Sequence, residues 1–139
     1  MHHTRKLSYK NWLTAILLLL AATGCRTHLP PSAERFYKTE LYFGAEKPDG
    51  TEVSSAEWGV FRDEVITPRF RAGFTVLEGY GQWLHESGAV QQETSKVVVF
   101  LYQKPKPAEA HIEAIRRLYC ERFDQEAVIR VDERVYVSF

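Results

Sequence analysis

The sequence is poor in cysteine and histidine, and this argues against a fold stabilised by disulfides and against a metal site. Only Cys25 and Cys120 occur in 139 residues, whereas an exported protein held by disulfides would carry a larger even set. His28, His85 and His111 are scattered and do not form a pair at metal-site spacing. We therefore expect no disulfide framework, no metal site and no cofactor.

Signatures of common enzymes and of nucleic-acid binders are also missing. The sequence has no G-x-S-x-G elbow and no phosphate loop, and its GYGQW segment has two glycines without a following helix. The chain contains 18 basic and 18 acidic residues, and 15 basic against 18 acidic remain once residues 1–24 are removed. A nearly neutral domain lacks the basic surface that nucleic acid requires. No motif implies catalysis.

No apolar run is long enough to span a membrane. Trp12–Ala22 is apolar except for Thr14, and it covers about half of the roughly twenty residues that a spanning helix needs. Basic residues precede the run, and small residues end it just before Cys25. This order is typical of a secretory signal peptide over residues 1–24.

The segment Ala22-Thr23-Gly24-Cys25 resembles the bacterial lipobox, in which the cysteine is lipidated and the preceding bond is cut. The usual pattern has Leu where this chain has Ala22, and the alternative is an ordinary signal peptide that leaves Cys25 free. Two or three acyl chains anchor a protein stably. Arg26 follows the cysteine, where lipoproteins of the inner membrane tend to carry Asp. We expect a lipid-anchored protein of the bacterial cell envelope, on the outer membrane and facing the periplasm.

The rest of the mature chain predicts a tether, residues 25–35, and one α+β domain, residues 36–139. The predicted strands are Phe36–Gly44, Phe74–Leu84, Lys96–Tyr102 and Glu126–Val131, with a short terminal strand at Val135–Phe139; the predicted helices are Ser54–Thr67 and Ala108–Phe123. The order β-α-β-β-α-β resembles the ferredoxin-like fold, an antiparallel sheet with both helices on one face and the first and third strands in the middle.

The first helix has the clearest local chemistry. Ser54 and Glu57 fit a capping box, in which each side chain satisfies a backbone donor of the other residue. Trp58, Phe61 and Val65 recur at helical spacing. We expect all three to lie in the core.

The third strand predicts a second apolar face on the sheet, because it has no polar residue between Val97 and Tyr102. We assign Val97, Val99 and Leu101 to the helix side, and Val98, Phe100, Tyr102 and Tyr42 to the other side. An uncovered apolar face needs a cover. The candidates are a second copy of the chain, the Gly79–Val90 hairpin or a ligand; we favour a two-fold homodimer, which would pair two domains as an α+β barrel.

Five residues are candidates for binding. They are Glu40, Tyr42, Arg69, Gln82 and Trp83. Glu40 lies on the predicted apolar face beside Tyr42, where its pKa could be raised for a role as a base; the alternative is an ion pair with Lys96.

Arg69 follows a helix end and could bind a carboxylate or phosphate. The alternatives are that it caps the helix or pairs with Glu64. Tyr80, Gln82 and Trp83 could form a strip for a sugar or an aromatic ligand, unless Trp83 belongs to the core.

The segments TELYFG, TPRF, GQW, SK and QEAVIRVD together resemble a family of small bacterial lipoproteins known only as a domain of unknown function. The resemblance runs from about Thr39 to Phe139. Arg71 replaces the usual Pro, and Ala127 and Ile129 depart from the family's QESVLRVD. The resemblance implies a lipoprotein and implies no activity.

These observations predict an envelope module that binds a partner or a small ligand. One alternative is a small enzyme that uses the open sheet face as a pocket, as monooxygenases on paired ferredoxin-like domains do; this rests on fold analogy. Another is a structural component of the envelope. The membrane, through the lipid, and a second copy are the expected partners.

Overall fold

Four antiparallel strands and two helices form the α+β domain in the predicted order. The computed structural model describes residues 29–84, 88 and 90–139, without the side chains of Trp83, Leu84 and Gln91. The elements are β1 (Glu34–Gly44), α1 (Ser55–Phe61) with a π-helical continuation (Arg62–Ile66), β2 (Thr75–Leu84), β3 (Val90–Tyr102), α2 (Pro105–Phe123) and β4 (Ile129–Val137). The strand order is β2-β3-β1-β4, so the first and third strands lie in the middle, as predicted.

Backbone contacts divide the chain into two units, Met1–Pro31 and Ser32–Phe139. Only residues 29–31 of the first unit are described, so Cys25 and the predicted signal peptide lie outside the described residues. Every buried core residue lies in the second unit, which therefore contains its own core. Among the described helices, none has the length and apolarity to cross a membrane.

Several predicted boundaries were wrong, all because strand pairing extends further than local sequence indicates. β1 begins at Glu34, inside the predicted tether, and pairs with β4 from Glu34 opposite Val137 to Tyr42 opposite Ile129. One continuous strand, β4, therefore replaces the two predicted strands Glu126–Val131 and Val135–Phe139. β3 begins at Val90, not Lys96, because it pairs with β2 along its whole first half.

The prediction for the first helix is confirmed. The Glu57 amide donates to Ser54 Oγ at 3.3 Å, and the Ser54 amide donates to Glu57 Oε2 at 2.8 Å. Trp58, Phe61 and Val65 are 6%, 0% and 5% exposed. The second helix begins at Pro105, before the predicted Ala108, since the fixed φ of proline suits the first helical turn.

Aromatic rings dominate the core between the helices and the sheet. Phe43 of β1 contacts the Tyr119 ring of α2 at 4.7 Å, and Phe61 of α1 contacts it at 5.1 Å. Leu41 and Phe43 are fully buried, and Val98 and Phe100 of β3 are buried beside them. Both helices and both central strands therefore share one core.

The predicted faces of β3 were reversed. Val98 lies opposite Leu41, and Phe100 lies opposite Thr39; all four are fully buried on the helix side. Tyr102 is also on that side and contacts the Thr39 hydroxyl at 2.8 Å. The other face carries Val97, Val99 and Leu101, because directly paired residues of neighbouring strands point the same way.

Candidate functional site

One face of the sheet carries no helix and exposes apolar side chains on three of its strands. Leu77 of β2 is 52% exposed, Leu101 of β3 is 42% exposed, and Ile129 and Val131 of β4 are 63% and 40% exposed. We call this surface the open face. The prediction of a second apolar face is confirmed, although Val98, Phe100 and Tyr102 do not belong to it.

Glu40 and Tyr42 lie next to each other on the open face, as predicted. The Tyr42 hydroxyl donates to Glu40 Oε2 at 2.7 Å, and Lys38 Nζ lies 3.1 Å from Glu40 Oε1. The hydrogen bond from Tyr42 and that from Lys38 lower the pKa of Glu40. The prediction that Glu40 is a base with a raised pKa is therefore wrong. The alternative, an ion pair between Glu40 and Lys96, is also wrong, because Lys96 binds Glu78 instead.

Arg69 is held at the end of the first helical segment. Its Nη1 donates to the carbonyl oxygen of Val65 at 2.8 Å, so the capping alternative is confirmed. Glu64 pairs with Arg122 instead, at 3.2 Å. The Arg69 carbonyl oxygen lies 3.0 Å from Nδ1 of His111 on α2.

Gln82 lies on an arm that β2 and β3 form beyond the helices. Three pairs continue the helix-side face along this arm: Glu78 with Lys96, Tyr80 with Thr94, and Gln82 with Gln92. Gln92 Nε2 donates to Gln82 Oε1 at 2.9 Å. The Trp83 side chain lies outside the described residues. The pairing of β2 with β3 continues the sheet along this arm.

A cleft of about 450 Å³ lies between this arm and the loop that leads into α1. Its floor consists of Phe43, Trp58 and Tyr119, which are nearly buried. The Phe43 and Trp58 rings meet edge to face at 5.3 Å, and the Tyr119 hydroxyl donates to the Gly44 carbonyl oxygen at 2.8 Å. We call this space, with its rim, the arm cleft.

The rim of the arm cleft carries more acidic than basic groups. Glu52 stands on the loop side, and Glu78 and Lys96 stand on the arm. Lys96 binds the Glu78 carboxylate, which leaves the charge of Glu52 in excess. Tyr80, also on the rim, is 91% exposed, so an aromatic face is available to a bound molecule.

Glu93 lies between Gln92 and Thr94 on the same arm, so its side chain belongs to the opposite face of the arm and is not part of the cleft lining. Burial raises the pKa of Glu93, the amide of Glu46 at 3.4 Å lowers it, and the negative charges of Glu46 and Glu52 raise it further. The net effect is a raised pKa.

The four predicted residues whose side chains the structure describes do not form one site. Glu40 and Tyr42 are on the open face, Arg69 is at a helix end, and Gln82 is on the arm. Sequence reasoning missed Glu52 and Lys96 as residues of the cleft. Alternation along the two hairpin strands, with Glu78 and Tyr80 facing Lys96 and Thr94, is the signal that could have found the arm.

The described residues contain no group of three or more His, Cys, Asp or Glu side chains placed to hold a metal ion. The site is thus defined by aromatic rings, carboxylates and one lysine, on a small ferredoxin-like α+β domain.

The chain belongs to the family described as protein of unknown function DUF3574, whose model matches residues 38–139. No curated protein matches it. A phage SAM lyase in complex with S-methyl-5'-thioadenosine has a similar fold, with 15% identity, a TM-score of 0.54 and coverage of 84% of this chain and 97% of that chain. A phage SAM lyase in the apo state gives 12% identity, a TM-score of 0.55 and coverage of 81% and 95%.

Proposed function

We propose that this chain is a lipid-anchored protein of the bacterial cell envelope whose domain binds a small organic cation with an apolar or aromatic body in the arm cleft. The supporting observation is the aromatic floor of Phe43, Trp58 and Tyr119 beneath a rim with excess carboxylate. Aromatic faces attract organic cations and pack against their apolar parts. The acidic rim favours the same charge.

Benzylamine and benzyl alcohol form a matched pair of probes, since they differ in charge and share one ring. We expect benzylamine to bind residues 26–139 in calorimetric titration, and benzyl alcohol to bind at least roughly fivefold more weakly. S-methyl-5'-thioadenosine, which is uncharged, tests whether a nucleoside body suffices. Equal binding of the two benzyl compounds would refute the preference for a cation.

Rim variants locate the binding site without disturbing the core. Tyr80→Ser and Glu52→Gln should each weaken benzylamine binding, because both side chains lie on the rim and are exposed. Tyr136→Ser is the matched control, since Tyr136 is 50% exposed and lies on β4, outside the cleft lining. If the control weakens binding as much as the rim variants do, the cleft is not the site.

Acyl labelling of a Cys25 variant tests the proposed lipid anchor. Cys25→Ala should abolish acyl labelling in the native host and prevent cleavage by the lipoprotein signal peptidase, because only the thiol carries the lipid. Labelling of the variant at the wild-type level would exclude Cys25 as the attachment point.

A second candidate function is self-association through the open face. Apolar side chains at 40–63% exposure on three strands are a surface of the kind that marks an interface. Along β1, Lys38 lies between the carboxylates of Glu40 at 3.1 Å and Glu133 at 2.7 Å. A second copy offers the same apolar patches, as a two-fold interface requires.

Light scattering of residues 26–139 tests this dimer. We expect a dimeric wild type and a monomeric, folded Leu101→Asp variant. Val60→Asp is the control, because Val60 is 50% exposed on α1, away from the open face. A wild type that stays monomeric at high micromolar concentration would exclude the homodimer.

A further inference from the structure

The end of the domain at which β1 begins is strongly basic. Six basic side chains lie there, on the first residues of β1, the loop before β2, the start of α2 and the end of β4: Arg35, Arg69, Arg71, Lys104, Lys106 and Arg134. Five of them are exposed and Arg69 is partly exposed. We call this surface the basic end.

Pairing and packing bring these segments together. Arg35 lies opposite Tyr136, and Tyr37 lies opposite Arg134, in the β1–β4 pairing. An open groove of about 420 Å³ connects Arg69 and Arg71 with Lys104 at the N-terminus of α2. Residues far apart in sequence thus form one surface.

The charge at the basic end is not neutralised within the domain. Among the described residues, no ion pair joins any of the six side chains to a carboxylate. Arg69 donates to a carbonyl oxygen, and Arg134 lies 5.7 Å from the Tyr37 ring centre. The nearby Glu34 carboxylate accepts a hydrogen bond from neutral Gln103. A net positive charge therefore faces solvent.

The opposite end of the domain is acidic. Its loops and strand ends carry Glu46, Asp49, Glu52, Glu93 and Asp124. The mature chain, with 15 basic and 18 acidic residues, is thus polarised along its strands. Such a molecule lies on an anionic surface in only one orientation.

Aromatic side chains accompany the basic residues. Phe139 is 93% exposed and Tyr136 is 50% exposed, and the Phe139 ring packs against the Phe36 ring at 5.9 Å. Aromatic rings beside basic residues suit the headgroup region of a bilayer, where one side of the surface is apolar and the other is wet.

From these observations we propose that the basic end binds the anionic headgroups of a lipid bilayer. The inference goes beyond the ligand cleft and gives the proposed anchor an orientation. The chain enters β1 at Glu34, and the segment from Cys25 reaches about 30 Å at most when extended. The surface from which a lipidated chain would emerge is the one that attracts the membrane, and the arm cleft points away from it.

Vesicle sedimentation with residues 26–139, which contain the whole core and carry no lipid, tests the proposal independently of Cys25. The vesicles are phosphatidylethanolamine with phosphatidylglycerol in one arm, and phosphatidylcholine alone in the other. We expect salt-sensitive binding to the anionic vesicles and little binding to the neutral ones. Wild type that fails to bind anionic vesicles at low salt, or that binds both kinds equally, overturns the proposal.

The triple variant Arg71→Glu, Lys104→Glu, Lys106→Glu should lose roughly 100-fold in affinity, since each basic residue near the surface contributes severalfold. The matched control reverses the same number of charges on the helices instead: Arg62→Glu, Arg117→Glu, Arg122→Glu. Equal losses in the two triples would overturn the proposal. If circular dichroism shows that the triple glutamate variant does not fold, the triple variant Arg71→Gln, Lys104→Gln, Lys106→Gln is measured in its place. Unchanged binding of anionic vesicles by that variant would contradict the proposal.

Discussion

At the scale of single residues, Arg130 links the edge strand to a helix. Its guanidinium lies 2.7 Å from carboxylate oxygens of both Glu109 and Glu113 on α2. Its Nε is 2.8 Å from Asp132 Oδ2, although the geometry is not that of a hydrogen bond. The Arg130 side chain is 16% exposed, so three carboxylates share one largely buried cation, and Glu113 also pairs with Arg116 at 2.9 Å.

The pKa values of Glu109 and Asp132 are lowered. The hydrogen bond from Arg130 lowers the pKa of Glu109. Burial works to raise the pKa of Asp132, but the hydrogen bond from Thr39 and the positive charge of Arg130 outweigh it, and the net direction is down. A lowered pKa stabilises the fold above the unfolded-state value of about 4, and this contribution is lost as pH falls through the folded-state value.

We predict that Arg130→Gln lowers the free energy of unfolding at neutral pH by about 1–2 kcal/mol, because partly exposed carboxylates lose their cation. The loss of stability below pH 5 should also become less steep. Urea denaturation between pH 3 and pH 7 measures both. Arg117→Gln is the control, since Arg117 is 61% exposed and pairs with Glu121 on its own helix; an equal effect there would contradict the prediction.

At the scale of elements, the two faces of β3 lie in different environments. Phe100 is fully buried, with its ring 4.1 Å from that of Phe70. Leu101, the next residue, is 42% exposed. Two adjacent apolar residues in one strand therefore have opposite environments.

Substituting each by aspartate should separate the two environments. Phe100→Asp should cost more than about 4 kcal/mol, a large part of the stability of a domain of this size, because it buries a carboxylate without a partner. Leu101→Asp should change stability by less than about 1 kcal/mol. Melting curves by circular dichroism distinguish them, and equal melting temperatures for the two variants would contradict the assigned faces.

The N-terminus of α1 allows a second prediction at this scale. Ser54→Ala should lower the free energy of unfolding by about 1 kcal/mol, because the cap hydrogen bond to the Glu57 amide is lost. Ser55→Ala, one position further, should have little effect. Urea denaturation compares the two variants, and equal destabilisation would show that the cap bond is not responsible.

Glu57 makes the same cap sensitive to pH. Hydrogen bonds from Lys47 and from Ser54 lower the pKa of Glu57 to about 2. Its stabilising effect is complete above the unfolded value near 4.3 and is lost as pH falls toward 2. Glu57→Gln should therefore make the acid limb of the stability curve less steep, which the same urea series measures; an unchanged acid limb would contradict it.

At the scale of the whole molecule, the unit Ser32–Phe139 contains the complete described core. We predict that residues 32–139 and residues 26–139 unfold at the same temperature within about 1 °C, since the described core lies wholly within residues 32–139. Differential scanning calorimetry measures this. A lower melting temperature for the shorter protein would show that residues 26–31 pack against the domain.

The sequence by itself determined the order of the elements, the cap at Ser54 and the apolar stripe of Trp58, Phe61 and Val65. These depend on interactions within a few residues, such as the Ser54–Glu57 hydrogen bonds, and such interactions are legible in a short window. The ferredoxin-like order of the strands followed from that element order.

Only the tertiary structure decided which face of β3 meets the helices. Both alternating sets of that strand are apolar, so its own pattern is the same for either orientation. The choice depends on register: pairing of Val98 with Leu41 places one set in the core and leaves the other on the open face. A shift of one residue would have exchanged the two sets.

The arm cleft and the basic end were beyond sequence reasoning for the same physical reason. Trp58, Tyr80 and Lys96 meet because a helix and two strands converge, and Arg71 approaches Lys104 because two loops lie at one end of a sheet. Local interactions do not encode such encounters. They arise from long-range pairing of strands, which also separated positive from negative charge in a chain whose totals are nearly balanced.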